Sequence, residues 1–146
     1  MKFIKLTLLF IAISFFQNSV FAQTSTKATT KTSPKTEAPK KKVPMLEVDI
    51  NSVELKQLKT DYPEITIIDV RTKAEVAQGM IPGAMHIEWG SKEFNEKIGK
   101  LDQSKPYIVY CAVGGRSVNA QRLMKFNGFV NVANLKGGYK EYAKSK

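Results

Sequence analysis

The pattern of apolar residues divides the chain into three parts. An apolar-rich run, broken by Thr7 and Ser14, covers residues 6–16, and residues 23–42 then contain no large apolar side chain. From Met45 onwards, short apolar runs alternate with amphipathic segments. Because this alternation is typical of strands and helices that follow one another, it favours a single α/β domain over residues 45–146.

Five β-prone segments of that domain predict strands. They are residues 45–50, 65–70, 81–87 (a turn and a short strand), 107–111 and 129–135. The segment at 65–70 is almost continuously apolar, as expected of a strand that is buried on both faces of a parallel sheet.

Helices are predicted between and after these strands. Asn51–Glu54 and Thr72–Glu75 have the sequence of a capping box. Ser91 is in position to cap a third helix, and residues 116–126 predict a fourth. The order of elements predicts a central parallel five-stranded sheet with helices on both faces. In such a sheet the ligand site lies outside the carboxyl ends of the strands.

The N-terminal residues have the layout of a secretory signal peptide. Lys2 and Lys5 precede the apolar run, and Val20 and Ala22 supply small or modest residues after it. We expect residues 1–22 to be removed after Ala22, which makes the protein exported, periplasmic or secreted, with no stable membrane insertion after cleavage. A short uncleaved membrane anchor is the alternative.

Residues 23–44 are expected to form a disordered linker. The segment is rich in Lys, Thr, Ser, Ala and Pro, and its six lysines and one glutamate give it a net charge of +5. Since the whole chain carries +10, most of that charge lies outside the domain. For an exported protein a solvated spacer explains this charge better than a nucleic-acid partner, and none is expected.

Cys111 stands where a predicted strand meets a predicted helix. A glycine-containing turn separates them, and a helix N-terminus concentrates free backbone N–H groups and the positive end of the helix dipole. A thiol placed there is stabilised as a thiolate, the reactive form of cysteine. We predict that Cys111 is a nucleophile held by the backbone amides of residues 112–117.

The cysteine count strengthens this prediction. Cys111 is the single cysteine of the chain, so an exported protein of this sequence has no internal disulfide. A lone thiol in an oxidising compartment is a chemical liability unless it has a function. A buried structural cysteine is the alternative.

Three segments of the domain resemble the rhodanese family. Residues 67–75 with 79–87 are similar to its first signature, residues 110–117 to its active-site loop, and residues 127–139 to its closing strand and Gly-Gly turn. The resemblance implies a rhodanese-like fold and a sulfurtransferase. It implies that a cysteine takes the sulfane sulfur of thiosulfate or a persulfide and passes it to cyanide or a thiol, with no metal or organic cofactor.

Site residues follow from the resemblance and from the charge of the expected reactants. Cys111 is the expected nucleophile. Backbone amides of the loop and the Arg116 guanidinium are expected to bind the anionic substrate, while Ser117 caps the helix or donates to the substrate. Gly114 and Gly115 are expected to let the loop curl, and the resemblance implies a substrate contact for Arg71. The expected substrate-binding set is Ala112, Val113, Gly114, Gly115, Arg116, Ser117 and Arg71.

Two other functions remain possible on the same fold. Phosphatases and arsenate reductases of this fold use a Cys-x5-Arg loop, whereas four residues separate Cys111 from Arg116. A non-catalytic binding module is the second alternative. Ala112 and Val113 replace the basic residue that often follows the cysteine in thiosulfate-using members, which leaves room for a persulfide donor. We expect the protein to be a monomer.

Overall fold

The computed structural model describes residues 41–46 and 48–146. These residues form five strands and five helices in strict alternation. In chain order they are β1 Asp49–Ile50, α1 Ser52–Asp61, β2 Thr66–Asp69, α2 Lys73–Ala77, β3 Met85–His86, α3 Phe94–Gly99, β4 Pro106–Tyr110, α4 Gly115–Phe126, β5 Asn131–Leu135 and α5 Gly138–Lys144.

The strands of the described region form one parallel sheet in the order β1-β5-β4-β2-β3. The predicted fold class is therefore confirmed. Asp69 at the end of β2 is level with Tyr110 at the end of β4 and with His86 at the end of β3. Because all strands run in the same direction, these carboxyl ends meet at one edge of the sheet, and Cys111 follows β4 there.

Apolar side chains cover both faces of the sheet. Neighbouring residues of a strand point to opposite faces, so Ile67 and Ile108 join one cluster with Leu55 of α1 and Tyr142 of α5. The other cluster is built around Ile68 and Val109, and it includes Phe94 and Ile98 from α3 and Ala120 and Met124 from α4. Helices therefore lie on both faces of the sheet. The strands whose carboxyl ends form the edge near Cys111 are packed against apolar side chains on both faces.

Local hydrogen bonds confirm the predicted helix caps at Asn51 and Thr72. Asn51 and Thr72 each accept from the backbone of residue N3, and the glutamate at N3 accepts from the backbone of the cap, so both capping boxes are complete. The predicted cap at Ser91 is wrong. Helix α3 begins at Phe94 after Glu93, with no side-chain cap, and Ser91 contributes only its carbonyl to the Phe94 N–H.

The segment before β1 contacts the domain where it is described. Asn131 donates to the Pro44 carbonyl at 2.9 Å and accepts from the Leu46 N–H at 2.8 Å. The predicted signal peptide, and the linker up to residue 40, lie outside the described residues. In the part of the chain that the structure describes, none of the helices is long and apolar enough to cross a bilayer.

Candidate active site

Cys111 lies directly after β4, and the next residues turn into α4. Strand β4 ends at Tyr110, and helix α4 begins at Gly115, so the connecting loop is very short. Gly114 takes a positive φ of 114° at the N-cap of α4, a conformation that glycine adopts without the steric cost of a Cβ. This turn brings the loop amides back towards the thiol.

The sulfur of Cys111 accepts hydrogen bonds from the loop. The Gly114 N–H donates to Sγ at 3.1 Å, and the Ser117 hydroxyl lies 3.5 Å from Sγ. Burial alone would raise the pKa of the Cys111 thiol, but hydrogen bonds from the Ser117 hydroxyl and from the backbone amides of Ser117, Gly114 and Val113 outweigh it and lower the pKa. Hydrogen bonds to the charged form have this effect because they stabilise the thiolate.

The carbonyl groups of the loop are held on the opposite side by α5. The Tyr139 N–H donates to the Cys111 carbonyl at 2.8 Å, and the Lys140 N–H donates to the Ala112 carbonyl at 3.0 Å. A Cβ on Gly138 would lie 2.3 Å from the Cys111 carbonyl oxygen, so the close approach of α5 requires glycine at this position. The first turn of α5 thus fixes the peptide orientation in which the loop amides face the sulfur.

A polar chain runs from the thiol to β1. Ser117 is fully buried, and its hydroxyl lies 2.7 Å from the Asn134 Oδ1 atom and 2.9 Å from the Gly114 carbonyl. Asn134 in turn donates to Asp49 at 2.7 Å. The predicted capping role of Ser117 is wrong, because the N-cap is Gly114 and Ser117 lies inside the helix. Its buried hydroxyl contacts the thiol and the core and is not open to solvent.

Arg116 forms an ion pair with Glu75. Its two terminal nitrogens donate to the two carboxylate oxygens at 2.6 and 2.8 Å, and the side chains are 33% and 31% exposed. The hydrogen bond from Arg116 lowers the pKa of Glu75 to about 2, against an ordinary value of 4.5. The guanidinium predicted to meet the substrate is therefore already bound to a carboxylate from α2.

Arg71 is buried, with its guanidinium bonded inside the protein. Its Nε and one terminal nitrogen donate to Asp69, that terminal nitrogen also donates to the Gly79 carbonyl, and the other donates to the Glu75 carbonyl. The guanidinium lies 4.1 Å from the centre of the Tyr139 ring. The expected substrate contact of Arg71 finds no support in these bonds, because each side-chain nitrogen already donates to a protein oxygen.

The remaining loop residues differ in exposure. Val113 is 64% exposed and Ala112 is half-buried, whereas Cys111 is 1% exposed. Gly115 lies in the first turn of α4 without a positive φ, and no atom lies within 4 Å of where its Cβ would be. The predicted need for glycine therefore holds at Gly114 and is wrong at Gly115.

An open crevice of about 350 Å³ borders the loop. Its lining includes Val113, Gly114 and Gly115 of the loop together with two charged residues, Asp49 and Lys136. Within the described residues, no group of three or more His, Cys, Asp and Glu side chains is placed to hold a metal ion.

Three parts of this site were missed by sequence reasoning. Glu75 was recognised only as a helix cap, Asn134 only as a strand residue, and Gly138 only as part of a turn. A signal existed for Glu75, because α2 begins four residues after the end of β2, at the sheet edge where the loop also lies. None existed for Asn134, whose contact with Ser117 depends on the pairing of β5 with β4.

The chain matches the model of one protein family over most of its length. The model of the Rhodanese-like domain matches residues 52–145, which include the loop and all five helices of the described region. The chain belongs to the rhodanese family. The sulfurtransferase relatives of this rhodanese place it in a family of sulfur-transfer proteins.

Relatives of this rhodanese match its folded domain. YtwF of Bacillus subtilis is 40% identical over 90 residues, covering 62% of this chain and 84% of the relative. A sulfurtransferase of Allochromatium vinosum is 31% identical over 96 residues, covering 66% of this chain and 88% of the relative. A chloroplastic protein of Arabidopsis thaliana named thiosulfate sulfurtransferase 16 is 33% identical over 88 residues, covering 53% of this chain and 73% of the relative.

Solved structures show the same fold. The Staphylococcus saprophyticus protein SSP1007 matches with a TM-score of 0.59 and 33% identity, over 66% of this chain and 93% of the other. The rhodanese-like domain of the Anabaena protein Alr3790 matches with a TM-score of 0.61 and 28% identity, over 68% of this chain and 76% of the other.

Proposed function

We propose that this rhodanese is a sulfurtransferase that carries a sulfane sulfur on Cys111. The observation that supports it most directly is the hydrogen bond from the Gly114 N–H to Sγ, at 3.1 Å, at the N-terminus of α4. A sulfur in this position is held as a thiolate. The same amides are placed to bind the second sulfur of a persulfide, which is also an anion.

The proposed reaction has two displacement steps. The Cys111 thiolate attacks the sulfane sulfur of the donor, an S–S bond forms, and the donor S–S bond breaks with its electron pair. When thiosulfate is the donor, the leaving group is sulfite. When an alkyl persulfide is the donor, the leaving group is the alkyl thiolate. Cyanide or an acceptor thiolate then attacks the outer sulfur of the Cys111 persulfide and regenerates the Cys111 thiolate. No step requires a change of metal oxidation state or an organic cofactor.

Five residues that follow Cys111 have a proposed part in these steps. The amides of Val113, Gly114 and Ser117 stabilise negative charge on sulfur, and the α5 amides hold the loop carbonyls away from it. Ala112 and Val113, the half-buried and exposed side chains that follow Cys111, are the proposed contact surface for the donor. Arg116 is the proposed cation for the anionic reactants.

A non-catalytic binding module is the second candidate, and one observation favours it. Cys111 is 1% exposed, so a donor reaches the thiol only if the atoms around it move. The lowered thiol pKa favours the enzyme, because the pKa of a buried thiol without hydrogen-bond donors is raised.

Incubation of the purified domain with thiosulfate, followed by intact mass measurement, tests the proposal. We expect the mass to rise by one sulfur atom, about 32 Da, and to return to its starting value after cyanide is added. Cys111→Ser is expected to gain no sulfur from any donor. An unmodified thiol with both thiosulfate and a persulfide donor would favour the binding module, and turnover of an aryl phosphate without sulfur uptake would favour a phosphatase.

Export is a separate proposal that rests on the sequence of residues 1–22. The basic start, the apolar run and Ala22 support it. A mature N-terminus at Gln23, measured on protein from the periplasm or medium of an expressing bacterium, is the expected result. Full-length protein retained in the membrane fraction would contradict it.

A further inference from the structure

The cation at the end of the loop is paired before any substrate arrives. Glu75 accepts hydrogen bonds from two nitrogens of Arg116, so both carboxylate oxygens face the guanidinium. A two-point pair of this kind is directional as well as charged. The positive charge of Arg116 is therefore partly cancelled at the place where an anionic donor would use it.

Glu75 is also fixed in place by α2. As the third residue of the helix, its Oε2 accepts from the Thr72 N–H at 2.9 Å and from the Thr72 hydroxyl at 2.8 Å. Its backbone carbonyl accepts from buried Arg71 at 3.3 Å. A carboxylate held by a cap and by its own backbone has little freedom to swing away when a second anion approaches.

Other charges at the loop do not restore a net positive site. Asp49 and Lys136 have opposite signs and border the same crevice. The charge of Arg71 is matched by Asp69, which contacts it at 2.7 Å. Val113, the most exposed side chain of the loop, is apolar.

The rate at which a donor reacts with Cys111 depends on the net charge at the loop, because the donors differ in their own charge. When the Cys111 thiolate attacks thiosulfate, the reacting atoms carry a total charge of about −3, since a dianion meets an anion. When it attacks the outer sulfur of an alkyl persulfide, the total is about −1 for the protonated donor and about −2 for the persulfide anion, which is less than for thiosulfate in both cases. In both cases the donor S–S bond breaks and its electron pair leaves on the alkyl thiolate, while the transferred sulfur keeps its proton or its negative charge. Like charges that are brought together in a partly desolvated site repel strongly.

We infer that Glu75 is a specificity-determining residue that makes alkyl persulfides better donors than thiosulfate. The inference rests on the sulfurtransferase function proposed above. By holding Arg116, the Glu75 carboxylate removes the attraction that a dianion needs, while a less charged persulfide loses little.

Glu75→Gln tests the inference, because it removes one charge and keeps a residue that supports a capping box. Sulfur uptake is followed by mass with thiosulfate and, separately, with cysteine persulfide. We expect kcat/KM for thiosulfate to rise by roughly tenfold and kcat/KM for the persulfide to change by less than about threefold. The thiosulfate rate of the variant is also expected to fall more steeply with ionic strength.

Two variants serve as controls. Glu96 of α3 forms an exposed pair with Lys100, so Glu96→Gln removes the same charge far from any role in the site and is expected to leave the donor ratio unchanged. Glu75→Asp keeps the charge and is expected to stay closer to the wild-type ratio than Glu75→Gln does. Thermal melts of all variants verify that the domain is folded.

The possible results distinguish the specificity role of Glu75 from the proposed sulfurtransferase function. If the wild type takes up sulfur and Glu75→Gln leaves the donor ratio unchanged, or lowers both rates equally, the specificity role is overturned and the sulfurtransferase remains. If the wild type takes up sulfur from neither donor, the proposed function fails and the specificity role fails with it.

Discussion

Two arginine–carboxylate pairs lie at the carboxyl edge of the sheet, and they differ in their burial. Arg71 and Asp69 are 4% and 0% exposed and lie two residues apart. Arg116 and Glu75 are about one-third exposed and lie 41 residues apart. The first pair connects the end of β2 to α2 and to Tyr139 of α5, whereas the second connects α2 to the loop that carries the thiol.

The two pairs are also linked to each other. Arg71 donates to the Glu75 carbonyl, and the Glu75 side chain then accepts from Arg116. The buried pair therefore positions the helix from which the exposed pair is built. We interpret Arg71 as a positioning residue and Arg116 as the residue that meets reactants, because a charge acts on a ligand only where the two can approach each other.

Removal of Arg71 should have the largest effect on stability. Arg71→Ala leaves the Asp69 carboxylate buried without its cation and removes the stacking on Tyr139. Breaking a buried pair by removing one partner costs roughly 3–5 kcal/mol. We expect the free energy of unfolding, measured by urea denaturation at neutral pH, to fall by about that amount.

The double variant Arg71→Ala/Asp69→Asn is the control for this prediction. It removes the uncompensated charge, and part of the lost stability should return. A different result would reverse our interpretation: a loss below about 1 kcal/mol, together with slower sulfur uptake, would mean that Arg71 contacts substrate as the sequence first indicated.

Removal of Arg116 should affect the rate of sulfur uptake strongly and the free energy of unfolding little, the opposite of what is expected for Arg71. Arg116→Ala leaves Glu75 unpaired beside the loop, where it repels an anionic donor. We expect sulfur uptake from thiosulfate to slow by roughly tenfold to a hundredfold, since a nearby unpaired charge is worth about 1–3 kcal/mol in a partly desolvated site. The free energy of unfolding should change by less than about 1 kcal/mol, because the pair is partly exposed.

Two measurements on the same protein sample verify this profile. Sulfite release gives the rate, and urea denaturation gives the stability. If Arg116→Ala unfolds as easily as Arg71→Ala, both pairs are structural and the contrast between them is lost. If its rate is unchanged, Arg116 does not meet the donor.

The fold was accessible from the sequence because its signals are local. Each apolar run lies within one strand, and the two capping boxes at Asn51 and Thr72 lie within four residues, so pattern and structure agree. Ser91 shows the limit of such signals. A serine before an apolar face is consistent with a cap, but the chain turns through Glu93 first and α3 begins three residues after Ser91.

The site was only partly accessible because its key contacts are long-range. Cys111 and the loop amides are neighbours in sequence, and the Gly114 N–H contact with sulfur was expected from the strand–loop–helix order. The pairing of Glu75 with Arg116 depends on how α2 and α4 lie across the sheet. The burial of Arg71 was also invisible, because arginine is usually exposed and no pattern marks the exception.

The smallest expected effect is on the free energy of unfolding in acid, and it depends on the pair of Arg116 and Glu75 alone. Glu75 has a pKa of about 2 in the folded protein, against an ordinary 4.5, chiefly because of its hydrogen bond from Arg116. Since the folded pKa is the lower one, the stabilisation is complete above about pH 4.5 and is lost as the pH falls towards 2. Solvent screening of this partly exposed pair limits the stabilisation to less than about 1 kcal/mol.

The urea midpoints of the wild type and Glu75→Gln should therefore converge as the pH falls from about 4.5 towards 2. The midpoint of Glu96→Gln should not move relative to the wild type by a comparable amount. A constant gap between the wild type and Glu75→Gln from pH 5 to pH 2 would show that the carboxylate is not paired in solution, and the proposed control of donor choice would lose its physical basis.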